Sequence, residues 1–233
     1  MEEKEQEMHE NLERGLKNRH IQLIGLGGAI GVGLFLGSAT AIELAGPSVL
    51  LTYVIGGIAI YFIMRALGEL SVAYPVSGAF SAHAARFLGP KWGYLTGWTY
   101  WYMWMVTCMA ELTAVGIYMN FWYPALPQWL SALVALAIMT VVNFIAVSAY
   151  GEFEFWFALV KICTIIFMII SGIGMIVFGI GNGGIATGIA NLWQNGGFFP
   201  NGFSGTLMAL VMVMYSYLGI EIIGVTAGEA HDP

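Results

Sequence analysis

Charged residues divide the chain into long apolar runs. Ile21–Ile42, Leu44–Met64, Trp92–Ala110, Leu112–Gly151 and Ile162–Ile220 contain no Asp, Glu, Lys or Arg. About twenty apolar residues cross a bilayer as one helix, so the last two runs have room for more than one pass. The pattern predicts an all-α integral membrane fold with six spans, near 21–42, 48–65, 93–119, 128–148, 155–179 and 205–226. A tail at 1–20 precedes the membrane domain, 21–233. The connections differ in kind. "FWYPALPQ" is a short Pro-punctuated turn with interfacial aromatics. "RALGELSVAYPVSGAFSAHAARFLGPKWG" is polar at both ends and weakly helical between. "GNGGIATGIANLWQNGGFFPNG" is the longest polar link.

Composition agrees with lipid as the solvent. Hydrophobic residues make up 58% of the chain and charged residues 9%, where soluble domains carry about a quarter charged. The net charge of −6 resides mainly in the tail "MEEKEQEMHENLERG". That tail has no apolar core and does not read as a signal peptide. Its acidity gives no basis for nucleic-acid binding. Cys108 and Cys163 lie within expected spans with no ligand cluster around them, so packing is the expected role.

The eight basic residues set an orientation. Lys4, Arg14, Lys17 and Arg19 precede the first span, and Arg65, Arg86 and Lys91 lie in the second-to-third connection. The alternate connections hold no Lys or Arg, which places the N-terminus and residue 233 on the cytoplasmic side of the cell membrane. The eighth base, Lys161, falls inside the fifth span.

Six glycines crowd "GLGGAIGVGLFLGSA", Gly25 to Ala39, at roughly 1 kcal/mol each in a helix interior. Two readings are open. Gly27/Gly31 and Gly33/Gly37 form small-xxx-small pairs that bring helices close. Alternatively the helix unwinds near Gly28–Gly33, leaving free carbonyls on one half and free N–H groups on the other. Such a break is tolerated at membrane depth only where it lines a cavity. A second candidate break is "VMVMYSYLGIEIIGVTAG", where Ser216, Gly219 and Glu221 interrupt an apolar run; paired breaks in corresponding spans mark a binding site. A carboxylate there costs about 2.5–3.5 kcal/mol on insertion scales, which favours a functional reading of Glu221.

Glu111 is the other carboxylate within a span, with pairing, pathway lining and a protonated hydrogen bond all open to it. Glu43, Glu69, Glu152 and Glu154 sit near span ends, where solvation explains them. His83 reads as a loop residue. "GWTYWYMWM" (97–105) serves either as a cavity wall or as interfacial anchoring. A literal GxGxxG at Gly179, Gly181 and Gly184 has no strand–turn–helix context and no dinucleotide meaning. No paired nucleophile and base stand out, nor a two-histidine metal spacing, so neither an enzyme, a cofactor nor a metal is expected. Repeated polar rings or a carbonyl filter, the marks of a channel, are likewise not visible.

"AGPSVLLTYVIGGIAIYFIMRALGELSVAYP" (45–75) resembles the signature of amino acid permeases of the amino acid–polyamine–organocation superfamily. "RGLKNRHIQLIGLGGAIGVGLFLGSA", "SGAFSAHAARFLGPKWGYLTGW", "GEFEFWFALVKICTII" and "GIEIIGVTAGEAHDP" are similar to it too. The resemblance runs from about Arg14 to Pro233 and is nearest to bacterial permeases for proline, threonine and related neutral amino acids. It implies a fold of two inverted five-helix repeats, with the first helix of each repeat broken at the midplane. Here that means the first repeat plus one helix of the second, so a C-terminal half is expected beyond Pro233.

The resemblance also implies a site. The substrate carboxylate meets the N–H groups of Gly31, Val32 and Gly33, and the α-ammonium meets carbonyls of Ala29, Tyr215 and Leu218. Val32 stands where relatives often carry a hydroxyl, so a side-chain contact is lost. Tyr215 closes over the substrate with Ser216 beside it as a further contact, and Tyr217 lines the cavity; Gly219, Glu111 and Glu221 are pathway candidates from their positions within the spans, not from the resemblance. Lys161 corresponds to a lysine that, in some relatives, takes the place of a sodium ion. A desolvated ammonium releases its proton readily, which makes Lys161 the expected proton-coupling group; an inert lysine snorkelling to the interface is the alternative. The expected function is proton-coupled uptake of a neutral amino acid. Exchange by the same fold, and an inert piece, are the alternatives.

Overall fold

The computed structural model describes residues 25, 27–76, 78–145 and 150–226. The expected tail at 1–20, the start of the first span, the end of the fourth at 146–148 and residues 227–233 lie outside the described residues. So do the side chains of Glu152 and Glu154.

Among the described residues every regular element is helical. A helical stretch at 27–29 is followed by α1 (Val32–Phe35) and α2 (Gly37–Ala45). A 3₁₀ turn, Gly46–Ser48, leads into α3 (Val49–Ala73). Then come α4 (Ala79–Leu88), α5 (Pro90–Trp122), α6 (Gln128–Ile145), α7 (Tyr150–Phe178), α8 (Asn191–Gln194), α9 (Gly202–Ser216) and α10 (Glu221–Thr226). Val32–Ala73, Pro90–Trp122 and Trp156–Phe178 are long and apolar enough to cross a membrane, and Gln128–Phe144 and Gly202–Ser216 are shorter apolar helices.

Helix geometry carries several elements past their hydropathy. α3 continues eight residues beyond the expected end at 65, and Arg65 and Glu69 pair across one turn at 3.0 Å on that extension. α5 starts at Pro90, whose missing N–H suits the first helical turn, directly after Gly89 has ended α4 with a φ of 104°. Its 33 residues amount to about 50 Å, well beyond a hydrocarbon layer of about 30 Å.

Several polar side chains in the spans bond within their own helices. Thr96, Thr107, Thr113, Thr140 and Thr164 each donate to the carbonyl four residues back, as does the Asn143 amide. This hides side-chain donors that lipid cannot satisfy. Large apolar side chains such as Phe167, Ile170 and Phe144 are meanwhile exposed, the arrangement expected of a surface solvated by hydrocarbon. Cys108 and Cys163 are exposed free thiols. This corrects the expected packing role: residence in a span does not decide which face of the helix a residue occupies.

The chain forms two compact units. One comprises residues within 25–62 and 154–220, the other 63–153 and 221–226. In the second unit α4 lies along the start of α5. A Cβ on Gly93 would stand 2.5 Å from that of Ala85 and 2.8 Å from the Ser81 carbonyl, so only glycine permits this approach. Arg86 places its guanidinium 4.3 Å above the Tyr74 ring. His83, expected as a loop residue, is on a buried face of α4. α5 and α6 are joined by the short turn after Trp122, closed by Asn120 Nδ2 donating to the Leu126 carbonyl at 2.6 Å.

In the first unit α2 and α9 pack through small side chains. Ala41, Ala45, Val49, Ala209 and Val213 are buried together, flanked by Leu44, Tyr53, Met212 and Tyr217. In lipid such close backbone packing replaces the hydrophobic effect as the source of helix association. Ser48 and Thr206, both buried, share a 2.7 Å hydrogen bond at the same end.

Candidate functional site

The first apolar helix is interrupted. Residues 27–29 are helical, Ile30 and Gly31 are not, and the helix restarts at Val32. Gly31 is extended (φ −132°, ψ −165°) and its carbonyl accepts the N–H groups of Leu34 and Phe35 at 3.1 and 3.2 Å. Ala29 therefore ends one helical piece, and Gly31, Val32 and Gly33 begin the next. A restarted helix directs its N–H groups and the positive end of its dipole toward the gap, and the piece before it directs carbonyls there.

The last apolar helix is interrupted as well. α9 ends at Ser216, residues 217–220 form a turn, and α10 starts at Glu221. The turn is held by Leu218 N–H on the Tyr215 carbonyl and Ile220 N–H on the Tyr217 carbonyl, at 3.2 and 3.4 Å. Gly219 sits at φ +94°, a conformation that costs an L-residue about 1–2 kcal/mol.

The two interruptions meet within the first unit. A Cβ on Gly33 would be 2.6 Å from the Tyr215 carbonyl oxygen and 2.9 Å from the Ser216 Cα; one on Gly219 would collide with the Gly28 carbonyl. Backbone thus lies on backbone at both points. Ser216 Oγ donates to the Gly33 carbonyl at 2.7 Å, with Met212 O at 3.2 Å as a second acceptor. Lys161, half-buried, donates from Nζ to the Gly27 carbonyl at 3.0 Å. A cation at the C-terminal end of a helical piece meets the negative end of its dipole.

Ala29, Gly31, Val32, Gly33, Tyr215, Ser216, Tyr217, Leu218, Gly219 and Lys161 accordingly belong to one unit, around the facing breaks. Glu111 and Glu221 belong to the other. There Glu221 stands beside the Tyr100 side chain and Glu111 near Tyr118. From the aromatic run, Trp98 and Trp101 line an open groove of about 390 Å³ with Ser81, Gly93, Tyr94 and Gly97.

Two features at the breaks were not anticipated. Tyr53 on α3 reaches both Ser216 and Tyr217, and the signal for it was Gly56–Gly57, a glycine pair inside an otherwise bulky helix. Asn201, just before α9, donates its amide to the carbonyls of Glu43 and Leu44 at 3.0 and 2.9 Å, capping α2. It lies in a polar link where nothing in the sequence singles it out.

An all-helical membrane protein organised around two interrupted spans is the class that this architecture defines. The family described as amino acid permease matches residues 20–233. Over its whole length the chain is 63% identical to "Uncharacterized amino acid permease YtnA" of Bacillus subtilis (strain 168), covering 50% of that protein. It is 54% identical over 225 residues to "Probable threonine/serine transporter YbxG" of the same organism, spanning 97% of this chain and 49% of that one. It is 50% identical over 228 residues to "Aromatic amino acid transport protein AroP" of Escherichia coli (strain K12), spanning 98% of this chain and 50% of that one. No solved structure matches. The chain belongs to the amino acid permease family, and it spans about half the length of the curated relatives it matches.

Proposed function

We propose that the protein carrying this chain takes up a neutral amino acid across the cytoplasmic membrane by alternating access, in symport with a proton. The observation that carries this reading is the meeting of two interrupted helices at Gly33 and Gly219, with Lys161 on the carbonyl of Gly27. Every α-amino acid presents a carboxylate and an ammonium a fixed distance apart. The N–H groups of Gly31, Val32 and Gly33 suit the first, and the carbonyls of Ala29, Tyr215 and Leu218 suit the second. Tyr215 would close the site. Ser216 already gives its hydroxyl to the Gly33 carbonyl, so it holds this cradle rather than contacting the solute.

Relatives named for threonine/serine and for aromatic amino acids support a zwitterion as the common element, with threonine- or proline-type substrates the first to try. The N-terminus and residue 233 face the cytoplasm in this reading, by the distribution of Lys and Arg. Glu111 and Glu221 remain pathway candidates.

Proton coupling rests on Lys161. Its ammonium holds the Gly27 carbonyl at the first break, so a change in its charge acts on that contact. The test is uptake of labelled threonine into vesicles holding the whole protein. An imposed inward proton gradient is expected to drive accumulation, and Lys161→Ala to leave residual uptake indifferent to that gradient. Gradient-driven accumulation that survives Lys161→Ala overturns the role of Lys161. Obligatory counterflow without proton movement identifies an exchanger instead.

A further inference from the structure

Tyr53, Gly56 and Gly57 of α3 lie away from the cradle, yet they reach the second break directly. Tyr217, the first residue of the turn after α9, donates its hydroxyl to the Tyr53 carbonyl at 2.8 Å. Its ring meets the Tyr53 ring edge-on, with centroids 6.1 Å apart. The Tyr53 hydroxyl in turn lies 3.3 Å from Ser216 Oγ. A serine hydroxyl has one proton, and Ser216 gives it to the Gly33 carbonyl at 2.7 Å, so Tyr53 is the donor to Ser216. Two hydrogen-bonded links meet at Tyr53: one from the Tyr217 hydroxyl to the Tyr53 backbone, the other from the Tyr53 hydroxyl through Ser216 to Gly33.

The glycine pair makes room for it. A Cβ on Gly57 would stand 3.0 Å from the Tyr217 hydroxyl oxygen, and one on Gly56 would stand 3.2 Å from Tyr217 Cε2 and 3.3 Å from Val213 Cγ1. Two adjacent glycines weaken a helix, but here their missing side chains form the notch that seats the tyrosine. A tyrosine carbonyl inside a helix already serves the helix ladder. Here the second donor reaches it across the gap that Gly56 and Gly57 leave.

We infer that Tyr53 and Tyr217, seated on Gly56–Gly57, form a clasp that fixes the 217–220 turn and positions the main-chain cradle without touching the substrate. The inference rests on the transport reading above for its consequence, and on the hydrogen bonds alone for its existence. Because the clasp acts on backbone common to every amino acid, its loss weakens all substrates by one factor. A net hydrogen bond is worth about 0.5–1.5 kcal/mol, which corresponds to roughly a threefold to tenfold rise in KM.

The experiment measures uptake of labelled L-threonine and L-phenylalanine by the whole protein in vesicles, for Tyr217→Phe, Gly57→Ala and the double variant. Tyr217→Phe is expected to raise KM for every transported one of these by the same factor, with Vmax within about a factor of two. Gly57→Ala should act like Tyr217→Phe, although alanine is the better helix former. In the Tyr217→Phe background it should be harmless, since the hydroxyl it displaces is gone.

A KM change for one substrate alone would make Tyr217 a substrate contact and overturn the clasp. So would a Vmax loss at constant KM, or a Gly57→Ala penalty equal in both backgrounds. If the unaltered protein moves neither amino acid, the transport reading fails while the clasp is still judged. The same cycle of variants is then read as thermal unfolding in detergent, where an additive result refutes it.

Discussion

The two broken helices solve the same problem by different means. At the first break, carbonyls are satisfied from other parts of the unit: Lys161 binds Gly27 O and Ser216 binds Gly33 O. At the second, the turn closes on itself through Leu218 and Ile220 N–H groups and is buttressed by a tyrosine. The first is also extended at Gly31, a conformation open to any residue, whereas the second depends on a left-handed Gly219. A break held by side chains from elsewhere can be released when one of those side chains changes state. On the transport reading proposed above, the difference makes the first break the part that responds and the second its template.

The largest effect should come from breaking the template. Gly219→Ala forces an L-residue to φ +94° and drives a methyl into the Gly28 carbonyl, together costing about 2–5 kcal/mol. Amino acid binding by the whole protein is expected to fall by about 30-fold or more, while membrane insertion persists. Gly31→Ala is the contrasting variant. Its extended backbone is open to alanine, so the loss is expected to be smaller. Equal losses at the two sites, measured by equilibrium binding, would erase the distinction.

A smaller effect is expected beyond the first break. The Asn201 amide caps α2 on two carbonyls, and Gly205 lies so close that a Cβ there would collide with the Leu44 carbonyl. Asn201 itself is exposed, so water replaces part of what its amide supplies. Asn201→Ala should destabilise the protein by about 1 kcal/mol in thermal unfolding, with binding of the solute little changed. A loss of binding as large as that of Gly219→Ala would show that the α2 cap, not the turn, sets the cradle.

How much of this was legible in the sequence depends on the range of the interactions. The apolar runs and the family motifs carry the helices, because hydropathy and span length are local properties. The interruption at Ile30–Gly31 shows in the density of glycines, since glycine is the residue that tolerates both unwinding and contact. Gly219 shows for the same reason. Lys161 stands out because a lone base in an apolar run needs an explanation, but its acceptor, 134 residues away, has no local trace. Tyr53 looks like one aromatic among many. Only the opposing glycine pair betrays that something must lie on it, and nothing short of coordinates says what. Cys108 and Cys163 show the converse limit, since composition placed them in spans but could not choose the face.

The smallest effect concerns a group that would blur the comparison if left untreated. His83 is buried on α4, outside the spans, and its Nδ1 has no hydrogen-bond partner among the described residues. Burial, reinforced by the nearby Arg86 guanidinium, holds its pKa below the usual 6.5. The unfolded chain therefore takes up this proton at a higher pH than the folded one. The stability that neutral His83 contributes is complete above pH 6.5 and is lost as pH falls through the lower, folded value. Acidification imposed to test the proposed coupling would thus also loosen α4, and a pH effect at the first break has to be separated from it. His83→Gln removes the titration and keeps a polar side chain of similar size. Between pH 7.5 and 5.5 the unaltered protein should lose more in Tm than the variant, and the proton dependence of uptake should be the same in both. If His83→Gln flattens that dependence, the pH response belongs to α4, and the first break loses its claim to be the part that responds.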